Sequence, residues 1–332
     1  MNPSQLVKDL GEHGLLAKLQ RFCPQDVVGD DGAVLATAPG QSLVVTTDVL
    51  VDHVHFSDRT TTAFDVGWRA AAANLSDLAA MGAMPLGITV GLSLPGEVAV
   101  SWVEDLYRGM DACLSLYQTP IVGGDLCRSQ VVSIAITAFG QVVPGRVIRR
   151  SNAQPGDAIV ITGLHGLSRG GLELLLKPDL GSCLNSQERE RLIEAHQRPK
   201  PRLDVLQWLE QIPSDIAIAG MDSSDGLADA IAQICHCSGV GAQIERDYLK
   251  IFPALNKLVE TETAFNWLLY GGEDFELVLC LPLNIASALV QDWGRDTAII
   301  GTVTSNSKIT ITGSRDSTTL QSLNIAKGFQ HF

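Results

Sequence analysis

Charge is scarce in this sequence, and basic charge scarcer still. Among 332 residues, 24 Lys and Arg stand against 37 Asp and Glu, a formal net charge of −13. Bare nucleic acid is bound through basic patches that neutralise its phosphates, so this balance argues against it as a partner. A phosphorylated small molecule remains compatible only if metal cations screen its charge. Aromatic residues are also few, at 5%, against 31 Gly, which suits an α/β chain with many tight turns better than an all-β sandwich. No run approaches the ~18 uninterrupted apolar residues that a membrane span needs. The opening Met1-Asn2-Pro3-Ser4-Gln5-Leu6-Val7-Lys8-Asp9 has no basic segment followed by an apolar stretch, so no signal peptide is expected and the chain reads as cytoplasmic. The seven cysteines, at 23, 113, 127, 183, 235, 237 and 280, form no C-x-x-C pair. Cys235-His236-Cys237 is their only cluster, in what reads as an apolar helix, and reduced core thiols are the expectation. Missing too are the G-x-x-x-x-G-K-[ST] phosphate loop and the H-R-D and D-F-G pair, which excludes both common kinase classes.

What is present is ample apolar material, 45% of the chain, enough for one large domain or two ordinary ones. Strand-like and helix-like segments alternate. Strands are expected at 43–47, 85–94 and 131–143, with helices at 63–81 and 101–117. A polar, turn-forming stretch, Arg149-Arg150-Ser151-Asn152-Ala153-Gln154-Pro155-Gly156-Asp157, then breaks the pattern. A second series follows, with helices at 170–176, 186–195, 202–211 and 226–237 and strands at 158–162, 216–219, 276–281 and 298–303. The reading is a layered α/β or α+β architecture in two domains, 1–150 and 151–332.

The chemistry lies in where the carboxylates sit. Asp30-Asp31 lie between Gly29 and Gly32, Asp48 is expected to end the strand Val44-Val45-Thr46-Thr47, and Asp125 follows Ile121-Val122-Gly123-Gly124. Asp222 and Asp225 bracket Ser223-Ser224. Strand ends of α/β sheets are where ligands bind. Asp77 is the sharpest case, because its helix carries almost no other charge for ten residues, and Asn74 sits three residues earlier on the same face. A buried carboxylate needs a neutraliser. Lys and Arg are absent from most of these segments, so a hard divalent cation is expected, and Mg²⁺ takes carboxylate, hydroxyl, carbonyl and phosphate oxygens. Several Asp residues around a phosphate suit metal-assisted phosphoryl transfer. Singly, each has a plainer reading: a turn residue for Asp31, Asp48 and Asp125, a helix N-cap for Ser224-Asp225, a hydrogen-bonded buried side chain for Asp77. It is their conjunction that points to a site.

Taken together these segments resemble the thiamine-monophosphate kinase family. The resemblance runs through Gly29-Asp30-Asp31, Thr46-Thr47-Asp48 continuing to Val54-His55-Phe56, Asn74-Leu75-Ser76-Asp77-Leu78-Ala79-Ala80-Met81-Gly82-Ala83 and Gly123-Gly124-Asp125. It continues through Arg150-Ser151, Pro155-Gly156-Asp157, Asp222 to Gly226, and Gly271-Gly272-Glu273-Asp274-Phe275-Glu276-Leu277. It implies the two-domain fold of the aminoimidazole-ribotide-synthetase superfamily, an α/β amino-terminal domain plus an α+β carboxy-terminal one. Amino-terminal domains pair in a homodimer, and phosphate passes from ATP to thiamine monophosphate in line, without a phospho-enzyme. The resemblance implies that Asp31, Thr46, Thr47, Asp48, Asp77, Asp125, Asp222 and Asp225 are Mg²⁺ ligands. Gly124, Asp125, Arg150 and Ser224 would contact ATP, and His55, Glu273 and Phe329 the thiamine phosphate. No side chain is needed as a covalent nucleophile, since the acceptor phosphate is already ionised at neutral pH.

The sequence departs from the family pattern in three places. Leu126-Cys127-Arg128 stands for Thr-Thr-Arg, Ser223 for an aliphatic residue, and Asp52-His53 for Glu-Gly. Rival readings are another ATP-dependent enzyme of the superfamily and a non-catalytic nucleotide or metal sensor. A selenophosphate synthetase would need a reactive Cys or selenocysteine with a Lys near it in a glycine-rich amino-terminal segment, which Cys23-Pro24 does not supply. A hydrogenase-maturation dehydratase would end in a reactive Cys, where Gln330-His331-Phe332 stands, and the phosphate-loop signature of the purine-pathway synthetase is not visible. A degenerate sensor should have lost some of the Asp residues.

Overall fold

The computed structural model describes residues 5–24, 33–294, 296–313 and 321–322. The chain forms two compact units, one of Met1–Leu78 with Ala83–Val142, the other of Ala79–Gly82 with Val143–Phe332. Composition alone placed the break near residue 150.

The amino-terminal unit contains α1 (Val7–Leu19), β1 (Ser42–Val51), α2 (Ala63–Ala80), β2 (Met84–Leu94), α3 (Val100–Ser115), β3 (Ile121–Arg128) and β4 (Ser133–Val142). Its four strands are ordered β1-β4-β2-β3; β4 is antiparallel to both neighbours and β2–β3 is parallel. Alternation gives this sheet two different faces. In β4 each even position from Ile134 to Val142 is buried and each odd one only partly so. Ile88, Val90 and Leu92 of β2 join the buried face. Helices α2 and α3 touch at two glycines. A Cβ on Gly67 would lie 1.9 Å from the Leu106 carbonyl oxygen, and one on Gly109 1.8 Å from that of Phe64. Only glycine admits so close an approach of two backbones. The opposite face stays open, with Leu43, Val45 and Val49 of β1 about half exposed.

In the carboxy-terminal unit the elements are β5 (Ala158–Ile161), α4 (Leu167–Leu176), α5 (Ser186–Gln197), α6 (Asp204–Leu209), β6 (Ala219–Asp222), α7 (Leu227–Ser238), β7 (Gly241–Glu245), α8 (Leu255–Leu258), α9 (Thr261–Tyr270), β8 (Leu277–Leu281), α10 (Leu283–Trp293), β9 (Ala298–Thr304), β10 (Ile309–Thr312) and β11 (Gln321–Ser322). Its sheet runs β11-β10-β7-β9-β5-β8-β6, antiparallel except for β7–β10. Strands β5, β6 and β8 are buried along their whole lengths; β5 and β8 are continuous apolar runs covered on both faces, and β6 ends in the buried Asp222. One core forms around α7, α9 and these strands, through Met221, Ile231, Leu268 and Val278 among others. A second lies among α4, α5, α8 and α9, through Leu174, Leu192 and Leu255.

Three expectations are corrected here. The strand expected at 216–219 begins at Ala219, where pairing with Cys280 of β8 starts. Asp48 and Asp125 do not end their strands: β1 pairs with β4 on to Val51, and β3 pairs with β2 on to Arg128. Partner register, not local composition, sets where a strand stops. The thiols are not all core residues either: Cys113, Cys235 and Cys280 are buried, but Cys127, Cys183 and Cys237 are exposed. Among the described residues no helix is long and apolar enough to cross a membrane.

Candidate active site

In the amino-terminal unit, β1 lies across one face of α2. Residues 46 and 48 share a side of the strand, and residues 74 and 77 share a side of the helix. The two pairs meet. The Thr46 hydroxyl donates to the Asp77 carboxylate, and the Asp48 backbone N–H donates to Asn74 Oδ1 at 3.2 Å. Asn74 is fully buried and its amide donates to the Ala70 carbonyl at 3.0 Å, so it is locked to its own helix while it grips the strand. The result is a patch of hard oxygen donors, two carboxylates and a hydroxyl, held on a rigid strand and helix. Asp77 is where its spacing from Asn74 placed it.

Thr47 and Asp125 lie elsewhere. Thr47 pairs in register with Thr137, and their hydroxyls are 2.9 Å apart on the open face. Asp125 pairs with Gly91, Gly91 with Ala135, and Ala135 with Val49, which puts Asp125 in an open-face row at the far edge strand. Gly124, beside it, is exposed. Within this unit, therefore, Thr46, Asp48 and Asp77 come together, and Thr47 and Asp125 belong to the other side of the sheet. His55 follows β1 in a turn, its Nδ1 accepting from the Val51 N–H at 3.0 Å, which leaves Nε2 as the protonated nitrogen of the neutral ring.

In the carboxy-terminal unit, Asp222 ends β6 and is 3% exposed. The Ser224 hydroxyl donates to its Oδ1 at 3.0 Å, and Asp225 points outward as an exposed residue. The residue capping α7 is Gly226, so Ser224 and Asp225 are left outside the helix. Ser223 anchors the turn from inside: its N–H donates to the Glu276 carbonyl at 2.9 Å, and its hydroxyl is 3.0 Å from His165 Nε2. His165 is fully buried, and burial lowers its pKa to about 4, so it is neutral. Arg150 is exposed, and its guanidinium donates to Gln233 of α7.

Against this turn lies the loop at 271–276. Its backbone is strained: Glu273 and Phe275 hold φ of 58° and 52°, beside Gly272 at 66°. The Glu273 N–H donates to the Ser224 carbonyl at 2.7 Å, joining the two motifs. The Asp274 carboxylate receives the Gly166 and Ser168 N–H groups at 2.7 and 2.9 Å, at the amino end of α4. Burial nevertheless pushes its pKa up to about 7, with the Glu276 and Glu273 charges adding to the rise. Glu276 takes the Thr162 hydroxyl and Arg202 Nη1, each at 2.6 Å. Burial raises Glu276 against the pull of Arg202, whose own pKa is raised because its neighbouring carboxylates outweigh its burial.

The sequence reading missed Asp274, Glu276, Thr162, Arg202, His165 and His196. Three acidic residues within Glu273-Asp274-Phe275-Glu276, with no basic residue among them, were the signal that distant partners must exist. The isolated histidines carried none. Asp31 and Phe329 lie outside the described residues. Among the described residues, no group of three or more His, Cys, Asp or Glu side chains is arranged to hold a metal ion.

Comparison with known proteins follows the same outline. The AIR synthase related protein N-terminal domain matches residues 29–142, and the corresponding C-terminal domain matches 154–314. The thiamine-monophosphate kinase of Synechococcus elongatus is 50% identical over 329 residues, 98% of each chain. The crystal structure of the thiamine-monophosphate kinase from Stenotrophomonas maltophilia superposes with a TM-score of 0.78 at 34% identity, over 90% of this chain and 94% of that one. A solved structure of AaThiL complexed with AMPPCP and TMP gives a TM-score of 0.73 at 29% identity, over 99% of both chains.

Proposed function

Because the chain belongs to the thiamine-monophosphate kinase family of AIR synthase related proteins, we propose that it transfers the γ-phosphate of ATP to thiamine monophosphate. The products are thiamine diphosphate and ADP, and the reaction closes thiamine diphosphate biosynthesis. The observation that carries this reading is the match along nearly the whole chain to a kinase of that name, supported by the likeness to a structure holding an ATP analogue and TMP.

Mg²⁺ fits the oxygen donors of both units. Thr46, Asp48 and Asp77 offer hard oxygens on rigid elements, and Asp222 with Ser224 offers a second set. With a net charge of −13 the chain repels a triphosphate unless cations intervene. Thr46, Asp48 and Asp77 are proposed to hold ions on the α2 side of the amino-terminal sheet and Thr47 and Asp125 on its open face, with Asp31, Asp222 and Asp225 as the further proposed ligands and Gly124, Asp125, Arg150 and Ser224 on the nucleotide. His55, Glu273 and Phe329 are proposed for the acceptor. Bound Mg²⁺ supplies charge neutralisation to the transferring phosphoryl group. The chain itself supplies position: the turn at 222–226 and the loop at 271–276 are tied by the Glu273–Ser224 hydrogen bond, so a nucleotide contact and an acceptor contact share one support.

The open face of the amino-terminal sheet supports a homodimer. Leu43, Val45 and Val49 are 53%, 52% and 46% exposed there, an apolar row on an otherwise acidic protein. We place the protein in the cytoplasm, consistent with cysteines that are all free.

The test is to incubate the purified protein with ATP, Mg²⁺ and thiamine monophosphate and to quantify thiamine diphosphate and ADP chromatographically. Asp48→Asn and Asp222→Asn should each cut turnover by about 10²-fold or more with the melting temperature little changed. Stoichiometric ADP without thiamine diphosphate would reject the acceptor. Full activity in both variants would reject the ligand assignment.

A further inference from the structure

The strained loop at 271–276 is fixed on two sides. The Glu273 N–H is held by the Ser224 carbonyl, and Asp274 is held by the Gly166 and Ser168 N–H groups. The side chain of Glu273 is the part turned outward, 37% exposed. Behind it stands His196, on α5 and only 3% exposed. Its Nδ1 lies 3.2 Å from the Ser168 hydroxyl oxygen and 3.8 Å from Glu273 Oε2. Ser168 is 1% exposed, and its own N–H caps Asp274, so the hydroxyl that meets the imidazole is anchored to the same loop.

The fold brings His196 there through a glycine. A Cβ on Gly171 of α4 would lie 2.0 Å from the Leu192 carbonyl oxygen and 2.9 Å from the Cβ of His196. Without that bare backbone α5 could not approach closely enough to seat the ring.

We propose that His196 is a positioning residue that orients the Glu273 carboxylate toward the positively charged heterocycle of the acceptor, and so sets affinity for the acceptor rather than for the nucleotide. This rests on the reading of Glu273 as an acceptor contact. The physical reason is orientation. A glutamate has three rotatable side-chain bonds, and fixing them on binding opposes affinity. In the tautomer that carries its proton on Nδ1, the buried ring donates to the Ser168 hydroxyl and presents that N–H edge to the carboxylate. A separation of 3.8 Å is too long for a full hydrogen bond, so the ring restrains the carboxylate electrostatically.

Steady-state kinetics on the full chain with ATP, Mg²⁺ and thiamine monophosphate test this. His196→Leu should raise KM for thiamine monophosphate about ten-fold and leave KM for ATP within about two-fold. His196→Asn keeps a polar group where Nδ1 stands and should recover most of that loss; Ser168→Ala, which keeps the backbone cap, should raise the same KM by about three-fold. These two variants also carry the test if His196→Leu does not fold. The double variant His196→Leu/Glu273→Gln should be no worse than Glu273→Gln alone, because both remove one contact. The proposal is overturned if His196→Leu raises both KM values alike, if the two losses multiply, or if His196→Asn matches His196→Leu at equal thermal stability. Glu273→Gln with an unchanged KM in an active enzyme would instead remove the acceptor contact on which the proposal rests. A wild-type protein that makes no thiamine diphosphate would refute the kinase reading itself.

Discussion

Replacing Asp274 by Asn tests whether burial or hydrogen bonding governs the strained loop. Two backbone N–H groups at the start of α4 favour the carboxylate, and burial together with Glu276 and Glu273 opposes it. Burial wins, carrying the pKa from 3.8 to about 7. The sign follows from linkage. A carboxyl raised in the folded state contributes stability that is full below its unfolded pKa and is lost as pH rises through its folded pKa. Over pH 5.5 to 8 the native state therefore releases a proton that the unfolded chain has already lost, and stability falls. At about 1.4 kcal/mol per pH unit, the full effect over that window is about 2 kcal/mol, and about 1 kcal/mol once discounted for the part of Asp274 that meets solvent. Asn cannot titrate. Subtracting the urea-unfolding free energy of Asp274→Asn from that of the wild type at each pH cancels the other titrating groups. The difference should fall by about 1–2 kcal/mol from pH 5.5 to 8. A flat difference would show that Asp274 titrates outside this window. That is the outcome if the two N–H groups outweigh burial, because a carboxyl lowered in the folded state is ionised in both states above pH 5.5, and it would refute the argument.

Other consequences are as direct. Arg202→Met strands the Glu276 carboxylate, since Arg202 is 14% and Glu276 17% exposed and they meet at 2.6 Å; the loss should be about 3–5 kcal/mol by denaturant unfolding, and Glu276→Gln added to it should restore part. Gly109→Ala forces a Cβ to within 1.8 Å of a carbonyl oxygen across the α2–α3 contact and should cost about 2 kcal/mol or more, read as a lowered melting temperature. Val45→Glu places charge in the apolar row of the open sheet face, and light scattering should then report monomer in place of the proposed wild-type dimer; an unchanged mass would move the proposed interface elsewhere.

Parts of the site were legible before folding because they depend on local periodicity. Asn74 and Asp77 share a helix face by spacing alone, and an acidic residue in an Ala-rich helix has to meet something polar. The run Glu273-Asp274-Phe275-Glu276 carried the same kind of signal, but the sequence reading gave Asp274 and Glu276 no role. What could not be read was face and register. Thr46 and Thr47 are neighbours in sequence, yet one reaches Asp77 and the other Thr137, because the pairing of β1 with β4 assigns them to opposite sides of the sheet. Asp125 follows the same rule on β3.

The sequence by itself therefore determined the two-domain α/β plus α+β outline, the family, and an inventory of oxygen donors. These are properties of composition, of periods of two and 3.6 residues, and of short strings. Tertiary structure decided which donors meet. Glu276 with Arg202, Asp274 with α4, and His196 with Glu273 join segments far apart in the chain. No local pattern encodes such pairs, because they arise only when strands take their register and glycines let helices close upon one another.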